Sequence, residues 1–204
     1  MSTDGIIVYM YEPKKFNLPS LEGISDESVK QHIGLYEGYV KNFMGICTLI
    51  GDLMQDSEKN AHALSELQRR LGFEFDGMRL HEYYFSQFEG GSVPMSQESA
   101  FAKAIAKQWG SSEMLPKLMK NVGGMRGPGW AILYLDPSTG IFQMAFVGEQ
   151  HQGHFVGLPV ILALDVWEHA FLLDYGAQGK GKYIDAFFKN LNWDVVEKRF
   201  AQVT

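Results

Sequence analysis

Asp165-Val166-Trp167-Glu168-His169 follows directly on the apolar run Val160 to Leu164, and these ten residues decide where the rest of the chain must go. The run is short, aliphatic and bounded by Pro159 and Asp165, the pattern of a central strand that ends at the aspartate. A carboxylate and an imidazole four residues apart at the end of a buried strand can converge on one ion. Alone the pair is weak, because aspartate at a strand end is more often a cap or turn former. Only one cysteine, Cys47, is present. It can neither close a disulfide within the chain nor build a thiolate cluster, so imidazole and carboxylate are the ligands that remain.

Upstream of this stretch the character of the sequence changes near Gly123 to Gly129, dividing helices from strands. Ser25-Asp26-Glu27-Ser28 offers an N-cap with acids in the first turn, and Val29, Ile33, Tyr36, Val40 and Phe43 recur at helical spacing, predicting a helix from about Glu27 to Ile50. Further helices are predicted from Ser57 to Leu71, capped by Ser57 or Asp56, and from Asp76 to Phe88, stopped by Gly90-Gly91. Two more are expected over Ser96 to Gln108 and Ser111 to Asn121. After Gly129, the β-prone segments Trp130 to Leu135 and Ile141 to Val147 flank the turn Asp136-Pro137-Ser138-Thr139-Gly140 and read as a hairpin. Tyr183 to Val203 closes the chain as helix interrupted at Asn192. The expected class is α+β: a helical N-terminal lobe built on a long helical hairpin, residues 1–92, and a C-terminal lobe with a three-stranded antiparallel sheet flanked by helices, residues 93–204.

With 204 residues and 46% apolar content the chain can bury a substantial core. A net charge of -6 gives no basic footprint, so nucleic acid is not an expected partner and any steering of an anion must be local. No stretch approaches the roughly 18 apolar residues of a spanning helix, so no membrane is expected. The short apolar patch Ile6 to Met10, set among Asp4, Glu12, Lys14 and Lys15, lacks the basic start and longer apolar run of a signal peptide. A soluble, cytoplasmic protein is expected.

Asp165-Val166-Trp167-Glu168-His169-Ala170 followed by an aromatic resembles the signature of the iron/manganese superoxide dismutases. The resemblance extends over nearly the whole chain. Leu18-Pro19, Ser25-x-Glu27-x-Val29-x-x-His32, His81 followed by Tyr83 and Tyr84, Gly127-x-Gly129-Trp130-Ala131 and Asn192-Trp193-Asp194 all fall in the family's order. It implies one iron or manganese ion per subunit, held by His32, His81, Asp165 and His169. It further implies that two superoxide anions are disproportionated to dioxygen and hydrogen peroxide. Three neutral imidazoles and one carboxylate form a hard-to-borderline set that suits either metal.

The same resemblance assigns supporting roles. A Gln or His should contact the metal-bound solvent; Gly77, four residues before His81, supplies none, leaving Gln150 and His151 after the second strand, with His151 slightly ahead. Trp130 and Trp167 resemble the aromatic wall of the pocket, and Tyr39 the channel tyrosine, one residue closer to the first ligand than the family's usual interval. His32, Tyr36 and Tyr39 are spaced i, i+4, i+7 and share a helical face. Tyr36 stands where the family generally has a gateway histidine, Phe171 where a tyrosine usually bonds that histidine across the subunit boundary, and Phe85 where a tryptophan is common. Glu168 resembles the carboxylate that reaches the partner's ligand histidine, so a homodimer is expected through Glu168 and the region of Tyr36 and Phe171. His62 and His154 fall on no motif and read as structural. Two rivals remain: a non-catalytic binding or structural protein on the same fold, favoured by the altered gateway, and metal-assisted hydrolysis, for which no general base is evident.

Overall fold

Ser25 opens the first long helix by accepting the Ser28 N–H at 3.1 Å, with Asp26 and Glu27 in the first turn complementing the helix dipole. In the computed structural model, which describes residues 10–204, this helix is α1 (Asp26–Leu53). The Ile6 to Met10 patch lies, Met10 aside, outside the described residues. Ser28, His32, Tyr36, Val40 and Phe43 form the buried stripe of α1 and face α2 (Ala61–Ser86).

Helix α2 corrects the expectation of two helices between Ser57 and Phe88. Ser57 to Asn60 form a turn, and Asn60 ties the hairpin by donating its amide to the Leu53 carbonyl at 3.0 Å. Gly72 does not break the helix and Asp76 caps nothing. The buried positions Glu74, Gly77, Met78, His81 and Phe85 keep one stripe facing α1, and packing along that stripe outweighs the roughly 1 kcal/mol propensity deficit of an interior glycine.

Two shorter helices lead to the sheet: α3 (Ala100–Trp109), capped by Ser99 and stopped by Gly110 at φ 86°, and α4 (Met114–Gly123). The strands are β1 (Gly129–Asp136), β2 (Ile141–Gly148) and β3 (Val160–Asp165), in the order β2-β1-β3 with both pairings antiparallel. At the head of β1, Gly129 has φ 156° and a Cβ there would stand 2.2 Å from the Val147 carbonyl oxygen, so only glycine lets β1 and β2 meet. The register sets Trp130 of the central strand opposite Asp165. Short α5 (Leu172–Tyr175), α6 (Lys180–Asn190) and α7 (Trp193–Ala201) close the chain, and Asn192 breaks and recaps the helix as expected. Among the described residues no helix is long and apolar enough to cross a membrane.

Gln87, just past the end of α2, fastens the helical hairpin to the sheet. Its fully buried amide donates to the Ala163 carbonyl at 2.8 Å and accepts the Ala163 N–H at 2.9 Å, as a neighbouring strand would. Arg199 of α7 donates to the same Gln87 oxygen at 2.9 Å. Because Ala163 lies two residues before Asp165, this clamp also sets the height of the carboxylate relative to α2. A Gln87→Leu variant keeps the volume and orphans both Ala163 groups, so urea unfolding is expected to show a loss of about 2–6 kcal/mol, at about 1–3 kcal/mol per buried unsatisfied group.

Candidate metal centre

Four donors from distant parts of the chain meet between the hairpin and the sheet. His32 lies on the buried stripe of α1 and His81 on that of α2; Asp165 ends β3, and His169 sits in the short 3₁₀ turn Glu168–Ala170 that follows. The Nε2 atoms of His32 and His169 are each 3.1 Å from Asp165 Oδ2, and His81 Nε2 is 3.7 Å from it. One ligand atom from each residue lies within 4.8 Å of all the others.

The hydrogen bonds around this ring prepare it for a cation. His81 Nδ1 donates to the Gly77 carbonyl at 2.6 Å, which places the proton on Nδ1 and leaves a lone pair on Nε2. That Nε2 is fully buried and has no hydrogen-bond partner. A bare buried nitrogen among three further donors is what a coordinated ion satisfies, and the donor set fits iron or manganese. Asp165 Oδ1 is occupied by the Trp167 N–H at 2.8 Å, leaving Oδ2 to the ring.

Burial, then the neighbouring His32, lowers the His81 imidazole to about 3, and burial likewise lowers His32 against the pull of Asp165, so both rings are neutral near pH 7. Burial alone would raise the Asp165 carboxyl, but the charge and hydrogen bonds of His169 and His32 bring it below the ordinary carboxylate range.

Aromatic rings wall the donors. Trp130 stands edge-on to His81 at 5.1 Å between centroids, Phe85 contacts His32 at 5.0 Å, and Trp167 stacks on His169 at 5.8 Å with planes 15° apart. Tyr39 lies against His81 at 5.1 Å and Tyr36 at 6.5 Å, so the face shared by His32, Tyr36 and Tyr39 does converge on the second histidine.

Of the two loop residues, it is Gln150 and not His151 that the structure brings to this wall. Gln150 is fully buried; its amide accepts from Trp130 Nε1 at 2.7 Å and donates to the Tyr39 hydroxyl at 2.8 Å. His151 turns outward, half-buried, with its ring against Phe73 at 5.7 Å and Nδ1 3.9 Å from the Glu149 carboxylate. Adjacent residues in this irregular turn point to opposite sides, and the side facing Trp130 belongs to Gln150. Burial, together with the Asp165 and Glu74 charges, pushes the Tyr39 hydroxyl up to about 12, so it keeps its proton at neutral pH.

The arrangement has close relatives. The family model for the C-terminal domain of iron/manganese superoxide dismutases matches residues 97–199. A superoxide dismutase [Fe] of Aquifex pyrophilus is 34% identical across 95% of this chain and 92% of its own length. One from Sulfolobus acidocaldarius is 30% identical over 94% and 92%, and a superoxide dismutase [Mn] 2 of Haloferax volcanii is 30% identical over 95% and 96%. The chain belongs to the iron/manganese superoxide dismutases. The fold expected from that family is the fold observed, with its helical hairpin and three-stranded antiparallel sheet.

The departures from the family pattern noted in the sequence receive physical explanations. Tyr36 does not border an opening: it is fully buried, its hydroxyl accepts the Lys14 N–H at 2.8 Å and donates to Glu82 at 3.3 Å, and Lys14 and Arg79 neutralise that glutamate from outside at 2.7 and 2.8 Å. Phe171 is buried against Tyr183 at 6.0 Å, and both side chains are committed to their own core. Glu168 is exposed beside His169. The short interval before Tyr39 is matched by Gly77, where a Cβ would stand 2.5–2.9 Å from the Tyr39 ring carbons. In the sequence Gly77 stands out only for the donor it lacks; nothing local marks it as the cradle of a ring 38 residues upstream. In the sequence Glu82 is likewise one of many helix acids, and only its bond to the Tyr36 hydroxyl sets it apart.

Gly77→Ala, normally stabilising in a helix interior, is expected instead to cost about 1–3 kcal/mol by overpacking and to displace Tyr39 from Gln150; thermal melts and the near-ultraviolet tyrosine signal would register both. A second expectation concerns the metal-free protein. His81 has a folded value of about 3 against an ordinary 6.5, so between those pH values the unfolded chain binds the proton first, and stability falls as the pH falls. The lowered Asp165 continues the decline below 3.8. Denaturation midpoints of metal-free protein that rise on acidification across this window would contradict the burial of neutral imidazole.

Proposed function

We propose that this chain is a superoxide dismutase that converts two superoxide anions and two protons to dioxygen and hydrogen peroxide, with one iron or manganese ion held by His32, His81, Asp165 and His169. The carrying observation is the buried, unpartnered Nε2 of His81 within a ring of donors that includes the buried Asp165 carboxylate. The bound ion supplies one-electron redox chemistry.

The chain's own residues do the remainder. His81 is held in one tautomer by the Gly77 carbonyl, and Asp165 in one rotamer by the Trp167 N–H. Three neutral rings and one carboxylate leave a di- or trivalent cation with positive charge in excess, which attracts a small anion locally although the chain carries -6 overall. Trp130, Phe85 and Trp167 exclude bulk water, so charges in the pocket interact strongly. The Tyr39 hydroxyl and the Gln150 amide form a bonded pair reaching from the loop to the His81 face, and Tyr39 Oη retains a proton for the product side of the reaction. In this reading Gln150 takes the donor role and His151 remains at the surface; Tyr36 acts by packing against His81.

The reading extends to a homodimer. It is supported by Leu35, Leu172 and Leu173, each more than two-fifths exposed around the partly exposed His169, with Glu168 beside them. A division into lobes at residue 92 is supported by the family's C-terminal model beginning its match at 97. The single cysteine suits a reducing, cytoplasmic setting.

Elemental analysis of protein purified without added metal, with a dismutation assay on the same sample, tests the proposal. The parent should carry close to one iron or manganese per chain, and His81→Ala and Asp165→Ala should lose both metal and activity. Full activity in either variant, or a metal-loaded parent without dismutation, would overturn it.

A further inference from the structure

His154 has no place in the metal ring, yet it lies inside the one loop that delivers Gln150. That loop is held under strain: Glu149 has φ 52°, the sole positive value for a non-glycine among the described residues. Its flanks are fastened by the Gly148–Gln152 backbone pair at 2.8 and 3.1 Å, by Glu149 N–H to the Pro128 carbonyl at 3.2 Å, and by Trp167 Nε1 to the Glu149 carbonyl at 3.2 Å. Gln150 itself is fastened through its carbonyl, 3.1 Å from His154 Nε2.

Chemistry fixes how that ring is protonated. A carbonyl can only accept, so Nε2 carries a hydrogen; in the neutral ring Nδ1 is then bare and accepts the Tyr134 hydroxyl at 2.6 Å. Asp76 Oδ2, 3.8 Å from Nε2, adds a negative charge on the side where the hydrogen sits. Tyr134 and Trp130 are four residues apart in β1 and share one face of the strand. One face of the central strand therefore grips Gln150 twice: Trp130 holds its side-chain amide, and Tyr134 holds its main chain through His154.

We propose that His154 is a positioning residue for Gln150: as the Nε2–H tautomer, oriented by Tyr134, it fixes the strained turn so that the Gln150 amide reaches both Trp130 and Tyr39. The functional part of this inference rests on the dismutase reading. The conformational part does not.

Long-range proton–nitrogen NMR on uniformly labelled, metal-free protein should show His154 with hydrogen on Nε2 and a bare Nδ1; an Nδ1–H tautomer overturns the proposal. The Gln150 side-chain amide should exchange slowly in the parent, at least about 10-fold faster in His154→Ala, and near the parent rate in His154→Gln, whose amide can donate to the carbonyl and accept from the tyrosine. In metal-loaded protein the same three should show activity per bound metal falling about 10-fold in the alanine variant, a typical effect for a group acting through an outer contact, and recovering in the glutamine variant with metal content unchanged. Unchanged exchange and unchanged rate in His154→Ala would sink the inference, whereas an inactive parent with the slow Gln150 amide intact would sink the dismutase reading alone. Should the alanine variant not fold, Tyr134→Phe removes only the orienting hydroxyl, and it must still speed Gln150 exchange for the proposal to stand.

Discussion

Asp165 sets the terms for the rest of the molecule. Its carboxylate is completely buried at the end of a central strand, where an isolated anion would cost many kcal/mol. The surroundings answer with imidazoles rather than with a lysine or arginine, and two of those rings are themselves held neutral by burial. Neutral His32 bonds the carboxylate without cancelling its charge. An anion enclosed by imidazole nitrogens is an environment selective for a multivalent cation, which is why the ring reads as a metal site and not as a catalytic acid–base cluster. The clamp from Gln87 to Ala163 and the Trp130–Asp165 register serve the same end, since a carboxylate displaced by one residue along β3 would point to the opposite face.

Three positions far apart in the chain are mutually dependent. Tyr39 can lie against His81 only because residue 77 has no side chain, and a residue 77 without a side chain has no donor to offer the pocket from α2. In the proposed reading the donor comes instead from the loop after β2 as Gln150, which bonds the tyrosine that Gly77 admitted. The one-residue shift of Tyr39, the glycine and the loop glutamine are thus a single geometric solution. Changing any one of them alone leaves a clash or an unpaired buried polar group.

That interdependence also explains what was legible in the sequence. The strand ending at Asp165, the hairpin of β1 and β2, and the capped start of α1 are governed by local patterns, and they lie within a few residues of where the sequence places them. Helix α2 reads locally as two helices because glycine at 72 and aspartate at 76 resemble a stop and a start, while the stripe that overrides them is satisfied only by α1. The four residues of the ring are legible through motif order. Gln150 against His151 was not, because neighbouring residues in an irregular turn differ only in the direction their backbone aims them, and the positive φ of Glu149 that decides this leaves no mark in composition. His154 escaped for the same reason: its meaning lies in Tyr134, 20 residues away on another element.

Access to the ring follows from which donor is least covered. His32, His81 and Asp165 are buried, whereas the His169 side chain retains 20% of its exposure and opens onto a cavity lined by Gln31, Gly34, Leu35, Leu172 and Leu173. Tyr36 closes the opposite approach, since its hydroxyl is drawn back to Glu82 and the cations that balance it. An apolar rim around the open ligand presents little to attract an anion and much that a second protein surface would cover. In the proposed dimer this face is therefore the subunit contact.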